Sequence, residues 1–310
     1  MSRLSESIAR AFRGRSAVIG VPYGWLLAFF LLPFLVVLRI SFSEMENVRF
    51  KDLLDYQDGV LQLTLKVSNY LFILQDELYI ATYLSSLKYA AITTALCLAI
   101  GYPFAYFMAR AKPTLQPALL MLVMLPFWTS FLLRVYAWKG LLGEGGWVAD
   151  WLTGIGVDRL LVLAALIPAE GKFMNTPFSL VIGMTYTYLP FMILPLYANL
   201  AKMDLSLLEA AADLGATPFK AFWLVTVPLS KAGIIAGSML VFIPCVGEFV
   251  IPELLGGPQT LMIGRVLWDE FFANNDWPMA SAVAVVMILM IIVPVAIFNR
   301  YQAQAAERGT

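Results

Sequence analysis

Residues 209–228, EAAADLGATPFKAFWLVTVP, form a polar, tightly punctuated stretch between two long apolar runs, 177–199 and 232–252. Apolar runs of about 20 residues suffice to cross a bilayer, so this stretch reads as a structured connector between membrane spans. Ser206-Leu207-Leu208-Glu209 fits a capping box, in which the serine hydroxyl and the glutamate carboxylate each satisfy a free backbone donor. A helix is expected to run from there through three alanines to Gly215, a left-handed stop just past the helix end. Thr217-Pro218 then supplies a second N-cap with proline at the first helical position, so another helix should run from Pro218 until Pro228 interrupts it. In the first helix Leu207, Leu208, Ala211 and Leu214 share one stripe, while Glu209 and Asp213 share another face. The stripe requires apolar cover, and its spacing fits packing on its own chain as well as docking on another.

Working outward, composition sets the fold class. Hydrophobic residues make up 60% of the 310 positions and charged residues 14%, against about 25% charged in soluble domains. The expected fold is an all-α polytopic membrane protein with six transmembrane helices, near 18–40, 84–109, 118–139, 177–199, 232–252 and 279–298. The first span has the basic flank of a signal sequence, but its apolar run is too long for a secretory leader and lacks a small-residue cleavage site, so it is expected to stay attached. The run 160–167 is too short to cross and is expected as a buried or interfacial helix outside the membrane. Segments 1–17, 110–117, 200–231 and 299–310 hold eleven Lys and Arg in 69 residues, whereas 41–80, 140–176 and 253–278 hold six in 103. Basic loops stay inside, so both termini and the connector around Glu209 are expected in the cytoplasm. The outer segments carry fifteen Asp and Glu, among them Asp52, Asp55, Asp58, Asp76 and Glu77, which read as a solvated surface able to meet a binding protein or concentrate cations.

The chain has no histidine, which removes histidine-based acid–base chemistry and Ser-His or Cys-His nucleophile pairs. Cys97 and Cys245 both fall inside apolar spans and read as small buried hydrophobes. No G-x-x-x-x-G-K-[ST] loop is present, so any ATP must be bound by another polypeptide. No cofactor, metal or nucleic-acid partner is expected. Without repeats or long linkers, residues 18–310 read as one membrane domain behind a basic tail, 1–17, with the connector 200–231 within it.

Glu209-Ala210-Ala211, three residues, Gly215, nine residues and Val225-Thr226-Val227-Pro228 together resemble the EAA signature, E-A-A-x3-G-x9-I-x-L-P, of permease subunits in binding-protein-dependent ABC importers. Only Val225 and Val227 depart from it, both mildly. The resemblance extends toward the polyamine branch, the putrescine/spermidine permeases, through PFWTSFLLRVYAW (126–138), IAGSMLVFIPCVGEFVIPELLGG (235–257), MIGRVLW (262–268) and NDWPMASA (275–282). It implies a type I (MetI-like) permease fold in the bacterial inner membrane. The implied function is the non-catalytic, membrane-spanning subunit of an ATP-driven importer, carrying putrescine or spermidine by alternating access. The implied partners are two cytoplasmic ABC ATPases, a second homologous permease in a heterodimer, a periplasmic polyamine-binding protein and membrane lipid. The helix Leu205 to Leu214 would be the coupling helix, with Glu209, Ala210, Ala211, Asp213, Leu214 and Gly215 meeting the ATPase.

Glu248 lies in the fifth apolar run among Pro244, Gly247 and Pro252. A carboxylate facing lipid there would cost about 2.5 to 3.5 kcal/mol, so it is expected to face the bundle interior. Separated carboxylates flanked by aromatic rings suit a flexible multivalent cation. That chemistry makes Glu248 and Glu253, with Phe249, Trp128, Tyr186, Tyr188 and Trp268, the candidates for a cargo path. Each has a plainer alternative: Trp and Tyr also anchor membrane interfaces, and Glu248 also fits a structural ion pair with Arg134. Other functions stay open at this point: an importer permease for another small solute, or a secondary transporter coupled to ions through Glu248. An intramembrane hydrolase lacks an assembled nucleophile and base.

Overall fold

The computed structural model describes residues 15–46, 49–50, 54–57, 60–63 and 66–308. Residues 1–14 of the basic tail, and Asp52 and Asp58 of the acidic segment 41–80, lie outside the described residues. Arg15–Leu26, a π-helical turn Leu27–Leu31 and Leu32–Ser41 run on as one helix, α1. Two antiparallel hairpins follow, β1 (Met45–Glu46) with β2 (Arg49–Phe50) and β3 (Leu54–Gln57) with β4 (Val60–Leu63). The remaining described elements are helical: α2 (Ser68–Gln75), α3 (Glu77–Arg110), α4 (Gln116–Met124), α5 (Phe131–Leu142), α6 (Trp147–Gly154) and α7 (Val157–Leu163). After them come α8 (Pro177–Leu200), α9 (Ser206–Asp213), α10 (Pro218–Ala221), α11 (Lys231–Val246), α12 (Val250–Leu255), α13 (Ile263–Trp268) and α14 (Trp277–Arg308). The fold is helical as expected, and the two short hairpins between α1 and α2 are the addition that sequence did not show. The pairing of Gln57 with Val60 leaves a two-residue connection, Asp58-Gly59 in sequence, a dipeptide that favours hairpin turns.

Among the described residues four helices are long and apolar enough to cross a membrane: Val18–Ser41, Glu77–Arg110, Pro177–Leu200 and Trp277–Ala296. The other two expected spans are not single straight helices: Gln116–Trp128 meets Phe131–Leu142 at 88°, and Lys231–Val246, which covers most of the run 232–252, is bent by 64° from Pro218–Leu229 of the connector before it. At the first bend Thr129 is extended and its Oγ1 donates to Pro126 O at 2.9 Å, taking a carbonyl that a continuing helix would use. At the second, Pro228 cannot extend the ladder, and the Ser230 hydroxyl donates to Val227 O at 3.0 Å. Side-chain caps fix where several helices begin. Asp76 accepts from Leu78 N, Thr176 and Ser179 form a capping box, and Asp276 accepts from Met279 N.

The chain divides into two units, Met1–Gln75 with Glu270–Val286, and Asp76–Asp269 with Met287–Thr310. In the first, the end of α1 is tied to α2. The Ser41 and Tyr70 hydroxyls share a 2.6 Å hydrogen bond, Asn69 Nδ2 donates to Ser41 O, and the Phe42 and Tyr70 rings pack 5.0 Å apart. In the second, α8 packs on both α3 and α11, and α11 packs on α3. Association in lipid relies on close fit at small residues. Met192 of α8 accordingly sits between Gly101 of α3 and Gly237 of α11, where an added Cβ would lie 3.1 Å from its Cγ or 2.8 Å from its Sδ. Cys97 and Cys245 are both fully buried in this core and unpaired, as expected of small buried hydrophobes. A second cluster, Leu142, Ala149, Ile167 and Phe173, gathers the end of α5, α6 and the following loop. The short run 160–167 is split by it: Ile167 is buried there, while Leu163 is 83% exposed on α7.

Candidate functional site

Two places gather the residues singled out by sequence. The first is the connector. Its helix, α9, starts differently from expectation: no capping box forms between Ser206 and Glu209, and Ser206 is already helical. Instead Asp204 Oδ1 accepts the Ser206 N–H at 3.0 Å, since a carboxylate two residues upstream offers a better-placed acceptor. That hydrogen bond holds the Asp204 carboxyl below its ordinary range, so the link is made at neutral pH and lost only in acid as the group protonates. The far end is as read from sequence. Gly215 is left-handed, with φ of +83°, its N–H reaches Ala212 O and that of Ala216 reaches Ala211 O, a full Schellman stop. Thr217 Oγ1 then accepts the Lys220 N–H, and Pro218 opens α10, which continues through a π-helical turn, Phe222–Thr226, to Leu229.

The apolar stripe of α9 divides in two. Leu208 and Ala211 are half-buried, and Leu208 lines a cavity of about 240 Å³ with Tyr106 and Phe222. Leu207 and Leu214 are exposed, Leu214 at 90%, as are Glu209, Ala210 and Asp213. No residue of α9 is fully buried. A two-turn helix thus leans one edge on its own chain and presents Leu207, Ala210 and Leu214, flanked by two carboxylates, to the outside.

The second place is the break between α11 and α12. The helix stops at Val246, and Gly247, Glu248 and Phe249 leave the ladder before α12 begins at Val250. Glu248 turns its side chain back on this break: Oε1 accepts the backbone N–H groups of Phe249, Val250 and Ile251 at 3.2, 3.0 and 3.5 Å. Its Oε2 accepts the Tyr188 hydroxyl from α8. Both residues are buried, Glu248 at 9% exposure. Among the described residues no Lys or Arg pairs with Glu248. The break is held from outside by Gly264 of α13, whose Cβ position lies 2.5 Å from Gly247 O and 2.6 Å from Glu248 O, so only a glycine lets the two backbones meet.

Phe249 and Trp268 stack with centroids 4.5 Å apart and planes at 11°. Glu253 is paired: Arg265 Nε lies 2.6 Å from its Oε2 and 3.8 Å from Asp269 Oδ2. The structure therefore groups Glu248 with Tyr188 and Phe249 with Trp268, and ties Glu253 to Arg265 on the helix that carries Trp268. It does not bring the remaining two candidates there. Tyr186 packs edge-on against Trp138 at 5.6 Å and lines an apolar groove of about 290 Å³ with Phe104 and Pro126, and Trp128 is 71% exposed at the α4–α5 bend. The ion pair considered between Glu248 and Arg134 is absent; the Arg134 guanidinium lies over the Phe131 ring at 5.9 Å. Arg265 went unread in sequence. Its i, i+4 spacing to Asp269 was a visible signal, but its pairing with Glu253 depends on how two separate helices meet.

The family described as "Binding-protein-dependent transport system inner membrane component" matches residues 16–308. The chain is 37% identical to the spermidine/putrescine transport system permease protein PotB of Haemophilus influenzae over 282 residues, 91% of this chain and 92% of that protein. It is 38% identical to PotB of Escherichia coli K12 over 274 residues, 87% and 92% of the two chains. Its fold is shared with a chain of the bacterial alginate ABC transporter crystallised with its pentasaccharide-bound periplasmic protein, at a TM-score of 0.68, 16% identity and 98% coverage of both. A chain of the MetNI methionine ABC transporter matches at a TM-score of 0.52 and 15% identity, over 72% of this chain and 93% of that one. With the profile spanning nearly every residue, and α9, its Gly215 stop and the apolar helices in place, this chain belongs to the family of binding-protein-dependent transport system inner membrane components and is a protein of the inner membrane.

Proposed function

We propose that the chain is the permease subunit of an ATP-driven importer of a polyamine, putrescine or spermidine, and that it performs no bond chemistry itself. On this proposal the four long helices and the broken runs 118–139 and 232–252 give six spans, with residues 18–310 as one permease domain behind the tail 1–17 and both termini in the cytoplasm. The basic bias of segments 1–17, 110–117, 200–231 and 299–310 supports that orientation. Segment 200–231 is then the ATPase-coupling loop, with Glu209, Ala210, Asp213 and Leu214 on the docking edge, Ala211 beneath it, and Gly215 turning the chain back toward the bilayer. The partners are two cytoplasmic ATPases that hold the ATP, a second permease and a periplasmic receptor. Closure of the ATPases moves α9, the bundle opens outward, and cargo from the receptor passes inward, a two-state equilibrium biased from both ends.

The observation that carries the cargo assignment is the setting of Glu248, an acidic side chain buried at the break after α11 whose hydrogen-bond partners among the described residues are neutral donors. A carboxylate in a membrane-spanning segment is costly until a cation reaches it, and an organic amine supplies one. The names of the relatives, spermidine/putrescine permeases, point the same way. The test is reconstitution with the sister permease, ATPases and receptor. ATP-dependent uptake of putrescine or spermidine is expected, with none from an ion gradient alone. Uptake driven by the gradient without ATPase would make the chain a secondary transporter, and ATP-driven uptake of a different solute would replace the polyamine.

A further inference from the structure

The Glu253–Arg265 pair is one of two rungs that join α12 to α13. Phe249 at the head of α12 and Glu253 one turn on share a face, as do Arg265, Trp268 and Asp269 along α13. Across the gap Phe249 stacks on Trp268, and Arg265 sits between Glu253 and Asp269, 2.6 and 3.8 Å from their carboxylates. Two carboxylates beside aromatic faces are what a diffusible organic cation would use. Here that set is filled by a cation of the chain itself. The side chains of Arg265, Glu253 and Asp269 keep 31%, 50% and 50% of their surface, so solvent reaches them and screens the pair. Glu248, just ahead of α12, is by contrast buried and has no fixed cation among the described residues.

We propose that Arg265 is a tethered stand-in for the cargo. In the empty permease its guanidinium occupies Glu253 and Asp269 and clasps α12 to α13, and a cationic cargo opens the clasp by taking over those carboxylates before reaching Glu248. A neutral or anionic solute cannot displace it, and two carboxylates favour a cargo with more than one ammonium group, so Arg265 sets the charge selectivity of transport. The proposal rests on the cation-import function proposed above. The test therefore includes a measurement that needs no cargo.

The complete importer, in proteoliposomes without receptor or cargo, is assayed for ATP hydrolysis in R265Q, E253Q and the charge-exchanged E253R/R265E, with ATPase co-purification as the control for assembly. An opened clasp favours the outward state in which the ATPases close. R265Q and E253Q are expected to raise cargo-free hydrolysis about two- to fivefold, the range for a half-exposed ion pair, and E253R/R265E to bring it back toward the native rate. Added salt should raise the native rate by screening the pair and leave R265Q flat. Equal cargo-free rates in all assembled variants would overturn the proposal. If R265Q does not assemble, E253Q removes the other charge of the same pair, and an unchanged cargo-free rate in it would overturn the proposal. Raised hydrolysis in R265Q, with native protein that carries no polyamine, would overturn the polyamine assignment alone and leave the clasp acting on another organic cation.

Discussion

The hydroxyls of Tyr102 and Ser230 share a 2.7 Å hydrogen bond inside the bundle, tying the long helix α3 to the bend between α10 and α11. The same Tyr102 ring, with that of Tyr106, packs edge-on against Phe222 of the π-helical turn, at 5.6 and 5.9 Å. One polar and two aromatic contacts therefore join the end of the connector to α3, and on the proposed function they are the route by which a displacement of α9 and α10 would reach the bundle.

Tyr102→Phe and Ser230→Ala each remove this link while keeping the ring or the backbone. A buried hydrogen bond contributes about 0.5–1.5 kcal/mol, so each variant should lower cargo moved per ATP hydrolysed by about two- to tenfold with assembly intact. Both delete the shared bond, and Ser230→Ala also removes the hydroxyl's bond to Val227 O, so the double variant should behave like Ser230→Ala alone. Parallel uptake and hydrolysis assays check this, and additive losses would place the two hydroxyls in separate roles.

Gly215 ends α9 with a left-handed backbone that other residues adopt at a cost of about 1–2 kcal/mol. Its Cβ position has open space around it, so a substitution there tests conformation and not crowding. Gly215→Ala should weaken co-purification of the ATPase up to about tenfold, and Gly215→Asn should do so less, since asparagine tolerates this region. Equal binding by all three would mean that the shape of this turn does not govern docking.

Glu209→Lys reverses one of the two exposed carboxylates on α9. Loss of ATP-coupled uptake is expected with unchanged insertion and thermal stability, because the side chain touches the rest of the chain little. Transport at the native rate would remove Glu209 from the docking edge.

Glu248→Gln keeps an acceptor for the start of α12 but removes the charge. Uptake should fall about tenfold to a hundredfold, the scale of a lost hydrogen bond to a charged group, while melting and ATPase assembly stay near native. Glu248→Ala also strips the cap from Phe249, Val250 and Ile251 and should cost about 0.5–2 kcal/mol of stability. Thermal denaturation beside uptake separates the two effects, and a glutamine variant that fails to fold would assign Glu248 a structural duty.

Gly264→Ala would place a methyl within 2.6 Å of two carbonyl oxygens in the break that holds Glu248. Backbone atoms cannot swing aside as side chains do, so a destabilisation of about 1–3 kcal/mol is expected. A melting temperature equal to the native one would show that α13 can retreat from the break.

Much of this was legible in the residues. Gly215, Thr217 and Pro218 each carry a backbone preference strong enough to act alone, and they stand where sequence placed them. The runs at 18–40 and 177–199 are continuous helices as read, even with Pro190 and Pro195 inside the second. The run at 118–139 was read as one span, yet Thr129 captures the carbonyl of Pro126 and turns the chain by 88°. Ser206 was read as the cap of α9, but the acceptor is Asp204, since two adjacent polar residues compete and local geometry decides between them. The partners of Glu248 and Glu253 were illegible for a different reason. Tyr188 is 60 residues away from Glu248 in the chain, and Arg265 lies on the helix after that of Glu253. No short-range pattern encodes either meeting.

The two thiols of this chain, at Cys97 and Cys245, have no surface open to solvent. The native sequence therefore serves as its own silent background for sulfhydryl chemistry. A single cysteine introduced at Ala210 or Leu214 would be the one fast-reacting thiol on the subunit, so its shielding from a maleimide when the ATPase is added can be followed without first rebuilding the interior.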